Sequence, residues 1–159
     1  MTRVISLALA ALMTLATPVL ANDLAFGKAR PDPNAPVEVA ANELAVNQKD
    51  GTATFSGDVV ITQGEMILSA PSVLVVYKED TQQIATLEAT GGVTLVSGQD
   101  AAEAQSAQYD IDAGIVLLTG KVLLTQGQNV MTGEKITINL EAGTAQVGGR
   151  VRTTLQTGN

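Results

Sequence analysis

The fold is decided by an eight-residue frame that the chain repeats: Gly57-Asp-Val-Val-Ile-Thr-Gln-Gly64, Gly91-Gly-Val-Thr-Leu-Val-Ser-Gly98 and Gly120-Lys-Val-Leu-Leu-Thr-Gln-Gly127. Gly149-Arg-Val-Arg-Thr153 repeats its beginning, so the frames start 34, 29 and 29 residues apart. Repeats of this length indicate stacked units that bury their apolar faces against one another. Chance repetition in a chain rich in Val and Gly is the alternative, and the recurring spacing argues against it.

Short apolar runs surround these frames and alternate with polar residues at a period of two. They are rich in Val, Ile, Leu and Thr and are separated by Gly, Asn or Asp, which is typical of β-strands. After Val37, Val39, Leu44 and Val46, the runs are Thr52–Phe55, Val59–Thr62, Met66–Leu68, Val73–Tyr77, Ile84–Leu87, Val93–Val96, Ile115–Leu118, Val122–Thr125, Ile136–Leu140 and Val151–Leu155. The pattern predicts an all-β fold, a long sandwich or a solenoid-like jelly roll.

Four dipeptides fall where hairpin turns are expected: Asp50-Gly51, Gly91-Gly92, Ala113-Gly114 and Ala142-Gly143. Asp100–Gln108 is rich in Ala, Glu and Gln and is the one stretch that suits a short helix. Tyr109 and Ile111 continue a period-two pattern, so we predict a strand there instead.

The amino terminus has the layout of a secretory signal peptide. Arg3 supplies a positive charge, Val4–Ala16 is apolar and uncharged, and Val19-Leu20-Ala21 places small residues around a cleavage site. An uncleaved membrane anchor over Val4–Ala21 is the alternative, which Pro18 weakens. We expect a signal peptide over 1–21 that is cut after Ala21, an extended leader over 22–36, one domain over 37–155 and a short tail over 156–159.

Composition excludes several classes of site. The 159 residues include no Cys and no His, which excludes a thiol nucleophile, a Ser-His-Asp triad, a disulfide framework and an ordinary zinc site. Sixteen acidic and nine basic residues give a net charge of −7, which argues against a nucleic-acid partner. Asp110 and Asp112, like Glu79-Asp80, could form a carboxylate pair or a calcium site, but the spacing favours solvated charge.

Six motifs follow one another in a specific order and spacing: Pro36-Val-Glu-Val-Ala-Ala-Asn-Glu-Leu44, Thr54–Gly64, Ala104-Gln-Ser-Ala-Gln-Tyr109, Val116-Leu-Leu-Thr-Gly120, Gly133-Glu-Lys-Ile-Thr137 and Gly149-Arg-Val-Arg-Thr-Thr-Leu155. Together they resemble the OstA-like family of periplasmic lipopolysaccharide-transport proteins. The resemblance implies a twisted open β-jelly roll, in which two antiparallel sheets form a V around an apolar lumen.

The function implied by the resemblance is that of a non-enzymatic periplasmic carrier without a cofactor. The lumen would shield the acyl chains of lipopolysaccharide. Subunits would join edge to edge into a homo-oligomeric bridge between an inner-membrane LptC-type partner and an outer-membrane LptD-type partner. Two alternatives stay open: a structural β-solenoid or adhesive scaffold that polymerises without lipid, and a carbohydrate-active enzyme that uses paired acids.

Residues that line such a lumen should be aliphatic and lie on one parity of each strand. With the family frame setting that parity, the candidates for lipid binding are Val37, Val39, Val46, Phe55, Met66, Leu68, Val73, Val75, Tyr109, Ile111, Leu117, Leu124, Ile136 and Ile138. Ordinary core packing is an equal alternative for each of them.

Edge strands of an unclosed sandwich leave backbone groups unpaired, which permits strand addition by a second molecule. The candidates for oligomer or partner edges are Val37, Glu38 and Val39 near the start and Val151, Arg152, Thr153, Thr154 and Leu155 near the end. Arg150 and Arg152 could instead be gatekeepers against aggregation.

Overall fold

The structure is a computed structural model that describes residues 24–25 and 35–155. Every regular element in these ranges is a strand, which confirms the all-β prediction. The strands are β1 (Leu24–Ala25), β2 (Glu38–Ala40), β3 (Glu43–Asn47), β4 (Thr52–Gln63), β5 (Met66–Tyr77), β6 (Ile84–Ser97), β7 (Asp100–Asp110), β8 (Ile115–Gln126), β9 (Asn129–Asn139), β10 (Thr144–Gly148) and β11 (Arg152–Thr154). The predicted signal peptide, most of the predicted leader and the predicted tail lie outside the described residues.

The strands form one antiparallel sheet in which the long strands β4–β9 pair in chain order. Two short strands, β2 and β3, share the outer edge of β4. At the other end, β10 and β11 share the outer edge of β9, and β1 pairs with β10. One end of the sheet therefore consists of the two short strands β2 and β3, and the other of the three short strands β10, β11 and β1.

A crease divides every long strand in the middle, where the pairing register shifts between neighbours. In β4, β6 and β8 the crease falls on two consecutive residues with positive φ, as at Gly57 (77°) and Asp58 (47°). The first of the two must be Gly, because a Cβ on Gly57 would lie 2.7 Å from Nδ2 of Asn42. The first residue of each of the three complete frames thus lies where the sheet bends.

Two layers result from this bend. The first layer contains β2, β11 and the hairpins 59–70, 93–104 and 122–133, and the second contains β3, β10, β1 and the remaining halves of the long strands. Each half buries only one face, and the hydroxyl of Tyr109 in the second layer donates a hydrogen bond to Gln63 in the first. The two layers therefore pack face to face, in agreement with the predicted two-sheet jelly roll.

The last glycine of each frame has a different role from the first. Gly64, Gly98 and Gly127 begin two-residue hairpin turns with φ of 58°, 62° and 58°. Glycine at the first central position is the usual requirement of a type II′ hairpin. The predicted turns at Gly51, Gly114 and Gly143 are also confirmed, each with positive φ.

Two details of the sequence interpretation are wrong. Gly91-Gly92 is not a hairpin but lies inside β6, where it forms the crease. Similarly, Thr52–Phe55 and Val59–Thr62 are two halves of β4, because Gly57 and Asp58 bend the strand without ending it. The strand predicted over Asp100–Gln108 is confirmed as part of β7.

Candidate functional site

The interior between the layers is lined by aliphatic side chains. In the first layer, the third and fifth residues of each complete frame point inward. In the second layer, the completely buried side chains include Val73, Val116, Leu118, Ile136 and Ile138. The middle of the interior is therefore filled by the protein's own side chains. Burial of this kind supplies the stability of a chain that has no disulfide.

The interior opens at the amino-terminal end. On β3, Leu44 is paired with Phe55 and Val46 with Ala53, both of which face inward. Directly paired residues point to the same face of a sheet, so Leu44 and Val46 also belong to the inward face. They are nevertheless 56% and 63% exposed. We call these two residues the amino-terminal mouth.

The carboxy-terminal end opens in the same way. On β11, Thr153 is paired with the buried Met131, so Val151 and Leu155 share its inward parity. Val151 is 47% and Leu155 64% exposed. A cavity of about 420 Å³ lies here, lined in part by Met131, Val147, Val151 and Leu155. We call Val151 and Leu155 the carboxy-terminal mouth.

One polar contact ties the layers together within this apolar interior. The Tyr109 hydroxyl donates to Oε1 of Gln63 at 2.7 Å, and Nε2 of Gln63 donates to the carbonyl of Ala35 at 3.1 Å. Burial raises the pKa of the Tyr109 phenol, and the neighbouring Asp110 carboxylate raises it further. Tyr109 therefore stays protonated, and its hydroxyl links the two layers.

The structure places most of the candidate lipid-binding residues on the inward face. Eight are buried there: Met66, Leu68, Val73, Val75, Tyr109, Leu124, Ile136 and Ile138. Val37, Val39, Phe55 and Ile111 are half-buried against the core, and Val46 is in the amino-terminal mouth. Contact with lipid at these positions stays a prediction.

Leu117 differs from the rest of this set. Val116 and Leu118 on either side of it are completely buried, so Leu117 lies on the outer face of β8 and is half-exposed. Sequence reasoning also missed inward residues, among them Val59, Ile61, Val93 and Leu95. Their recurrence at the third and fifth positions of the frame is the signal that would have found them. In β4, β6 and β8, which contain the frames, the same alternate residues face inward on both sides of the crease, whereas in β5, β7 and β9 the inward-facing set switches at the crease.

The candidate edge residues lie at the two ends of the sheet. Val37 precedes β2, which contains Glu38 and Val39 and pairs with β4. Residues 151–155 are all exposed, and Arg152, Thr153 and Thr154 pair with β9. Arg150 forms an exposed ion pair with Glu134, 3.8 Å between Nε and Oε1.

Asp110 and Asp112, which were considered as a carboxylate pair, have structural partners. Asp112 forms an ion pair with Lys78 at 2.6 Å, and Oδ1 of Asp110 accepts the amide of Ala113 at 3.0 Å. Within residues 24–25 and 35–155, no group of three acidic residues is arranged to hold a metal ion. The same part of the chain contains no helix that could cross a membrane.

Comparison with known proteins gives a consistent picture. Residues 38–144 match the profile of the family described as LptA/(LptD N-terminal domain) LPS transport protein. The lipopolysaccharide export system protein LptA of Haemophilus influenzae is 32% identical over 81 residues, which are 50% of this chain and 46% of that protein. The chain thus matches about half the length of that relative.

A solved structure has the same fold. LptH of Pseudomonas aeruginosa, described as the LptA homologous periplasmic component of the lipopolysaccharide transport device, superposes with a TM-score of 0.71. The superposition covers 80% of this chain and 99% of LptH, at 21% sequence identity. This likeness supports the jelly-roll fold.

Proposed function

Since the chain belongs to the LptA/(LptD N-terminal domain) family of lipopolysaccharide transport proteins, as its ordered motifs predict, we propose that it is a periplasmic lipopolysaccharide carrier. Acyl chains of the lipid are shielded between its two layers. The observation that carries this proposal is the exposure of inward-facing apolar residues at both ends of the interior. A closed sandwich would cover these side chains.

The energy that favours shielding is large. Covering alkyl chains contributes about 0.8 kcal/mol per buried CH₂, so several chains give tens of kcal/mol of gross transfer free energy before binding costs. An aliphatic interior supplies this without a metal, a nucleophile or a cofactor. The carrier is therefore not an enzyme in this proposal.

The same exposed residues support a bridge. Stacking the β2–β3 end of one molecule on the β10–β11 end of the next would bury both mouths and join the two interiors. Such a head-to-tail contact is heterologous and produces filaments rather than closed rings. At the ends of the bridge, an LptC-type partner in the inner membrane and an LptD-type partner in the outer membrane would pair with the free edges by strand addition.

Co-elution with detergent-extracted lipopolysaccharide tests the carrier. A photo-crosslinking residue at Val46 or Leu155 should label the lipid, because both positions face the open interior. Matched control positions are Val60 and Ile67, which are 37% and 41% exposed but lie on the outer face of the first layer. Equal labelling at mouth and control positions would contradict binding between the layers.

A scaffold without lipid cargo is the second candidate, and the filled middle of the interior favours it. Ile136 and Ile138 have no exposed surface, so lipid can enter beyond the mouths only if the layers separate. Purified protein that forms filaments yet never co-elutes with lipopolysaccharide would support the scaffold. Export is tested separately, since mass spectrometry of the periplasmic protein should find Asn22 at the amino terminus if cleavage follows Ala21.

A further inference from the structure

A row of polar side chains interrupts the aliphatic lining at the hairpin end of the first layer. The seventh residue of each frame, Gln63, Ser97 or Gln126, has the same inward parity as the aliphatic third and fifth residues. Across the hairpins, Asp100 is paired with Ser97 and Asn129 with Gln126. We call these five residues the polar stripe.

The Ser97 hydroxyl is the unusual group in this stripe. Its side chain is 1% exposed, and its Oγ has no hydrogen-bond partner among the described residues. Gln63, at the same position of the first frame, bonds both Tyr109 and Ala35. A buried hydroxyl without a partner lowers stability, and within the polar stripe Ser97 is the residue to which this applies.

We propose that Ser97 contacts the cargo: its hydroxyl hydrogen-bonds an ester, amide or hydroxyl oxygen at the polar end of an acyl chain. This inference rests on the proposed carrier function and adds the residue that recognises the polar end of the lipid. Leu95 and Val93 precede Ser97 by two and four residues on the same face, about 7 and 13 Å along the strand. The lining therefore changes from aliphatic at Val93 and Leu95 to polar at Ser97, in the same order as the alkyl and polar parts of an acylated lipid.

Entry of the lipid requires the layers to separate at the hairpin end. Tyr109 and Gln63 close that end by a hydrogen bond between the layers, and Met66 is paired with Ser97 on the inward face. When the layers part, the Ser97 hydroxyl gains the partner that it lacks in the closed form.

Ser97→Ala tests the assignment with two probes, detergent-extracted lipopolysaccharide and the hydrocarbon dye diphenylhexatriene. Loss of one hydrogen bond should weaken lipopolysaccharide binding by about two- to tenfold. Binding of the dye, which has no oxygen, should not change. The thermal midpoint of the lipid-free variant should not fall, because no hydrogen bond is lost from the closed form. Ser69→Ala is the matched control, since Ser69 lies on the outer face of the same layer.

Two results would overturn the inference. One is Ser97→Ala protein that binds lipopolysaccharide as tightly as the wild type, and the other is an equal loss of affinity for both probes, which would indicate altered packing. These results differ from a failure of the carrier proposal, in which the wild-type protein itself would not bind lipopolysaccharide.

Discussion

Truncation of Leu155 should weaken head-to-tail self-association without destabilising the monomer. Leu155→Ala removes three carbon atoms at about 0.8 kcal/mol each when they are buried. Because 64% of Leu155 is exposed in the monomer, the junction would lose about 1.5 kcal/mol, which raises the dissociation constant about tenfold. Val46→Ala removes two carbons from a residue that is 63% exposed, which gives about 1 kcal/mol and about a fivefold effect.

Sedimentation equilibrium of the purified mature protein measures these constants directly. Ile67→Ala is the control, because Ile67 is 41% exposed on the outer face and should leave association unchanged. Urea unfolding should give monomer stabilities within about 0.5 kcal/mol of the wild type, since all three side chains are exposed.

The polarity of the contact can be tested with charged variants. Val46→Asp blocks one end of the molecule and Leu155→Asp blocks the other, so each variant alone should be monomeric. Mixed together, they retain one complementary pair of ends and should form a one-to-one dimer that does not grow. The reasoning would be refuted if the alanine variants associated like the wild type, or if the mixed aspartate variants formed long filaments.

Three further predictions concern the folded monomer. Tyr109→Phe leaves the buried Gln63 oxygen without its 2.7 Å donor and should cost about 1–3 kcal/mol in urea unfolding. The folded-state pKa of Tyr109 is raised, so its protonated form stabilises the folded protein at pH values below the unfolded pKa of about 10. This stability is lost as the pH rises through the folded-state pKa. Tyr109→Phe should lack this alkaline loss of stability, and a pH profile identical to that of the wild type would contradict the assignment. Ile138→Ala should cost about 2–5 kcal/mol, and the outward-facing Leu117→Ala less than half as much; equal losses would contradict the assigned faces. Gly57→Ala should destabilise the protein more than Gly92→Ala. In both variants alanine must adopt a positive φ, which costs about 1–2 kcal/mol, but only the new methyl group at position 57 meets Asn42. Equal midpoints in thermal unfolding would argue against a tight crease at Gly57.

Much of the fold could be predicted from the frame because its determinants are local. Positive φ at Gly57 and the hairpin glycine Gly64 depend on the backbone of one or two residues, and period-two alternation depends on strand geometry. Gly91-Gly92 misled the prediction, since the same dipeptide suits a hairpin and a crease. What distinguishes them is that the residues on both sides of Gly91-Gly92 pair with the same strand, Thr90 with Ser72 and Thr94 with Ser69, which is not a local feature.

The candidate site was less predictable, because exposure depends on what lies opposite a residue. Val46 and Val75 are both Val in an alternating run, yet Val46 is 63% exposed and Val75 is completely buried. The difference comes from the place of β3 at the edge of the sheet, where no other described strand pairs with its outer side. Leu117 and Leu118 are likewise adjacent identical residues, and only the register of β8 assigns one of them to the interior.

By itself, the sequence determined an all-β chain of repeated Gly-bounded strands, its apolar interior and its family, because each of these depends on residue types and their order. The tertiary structure decided which runs join across the crease, which apolar side chains stay open at the two mouths, and that the Ser97 hydroxyl is buried without a partner. These features depend on contacts between residues that are far apart in the chain, where the pairing register and the packing of the two layers set the environment.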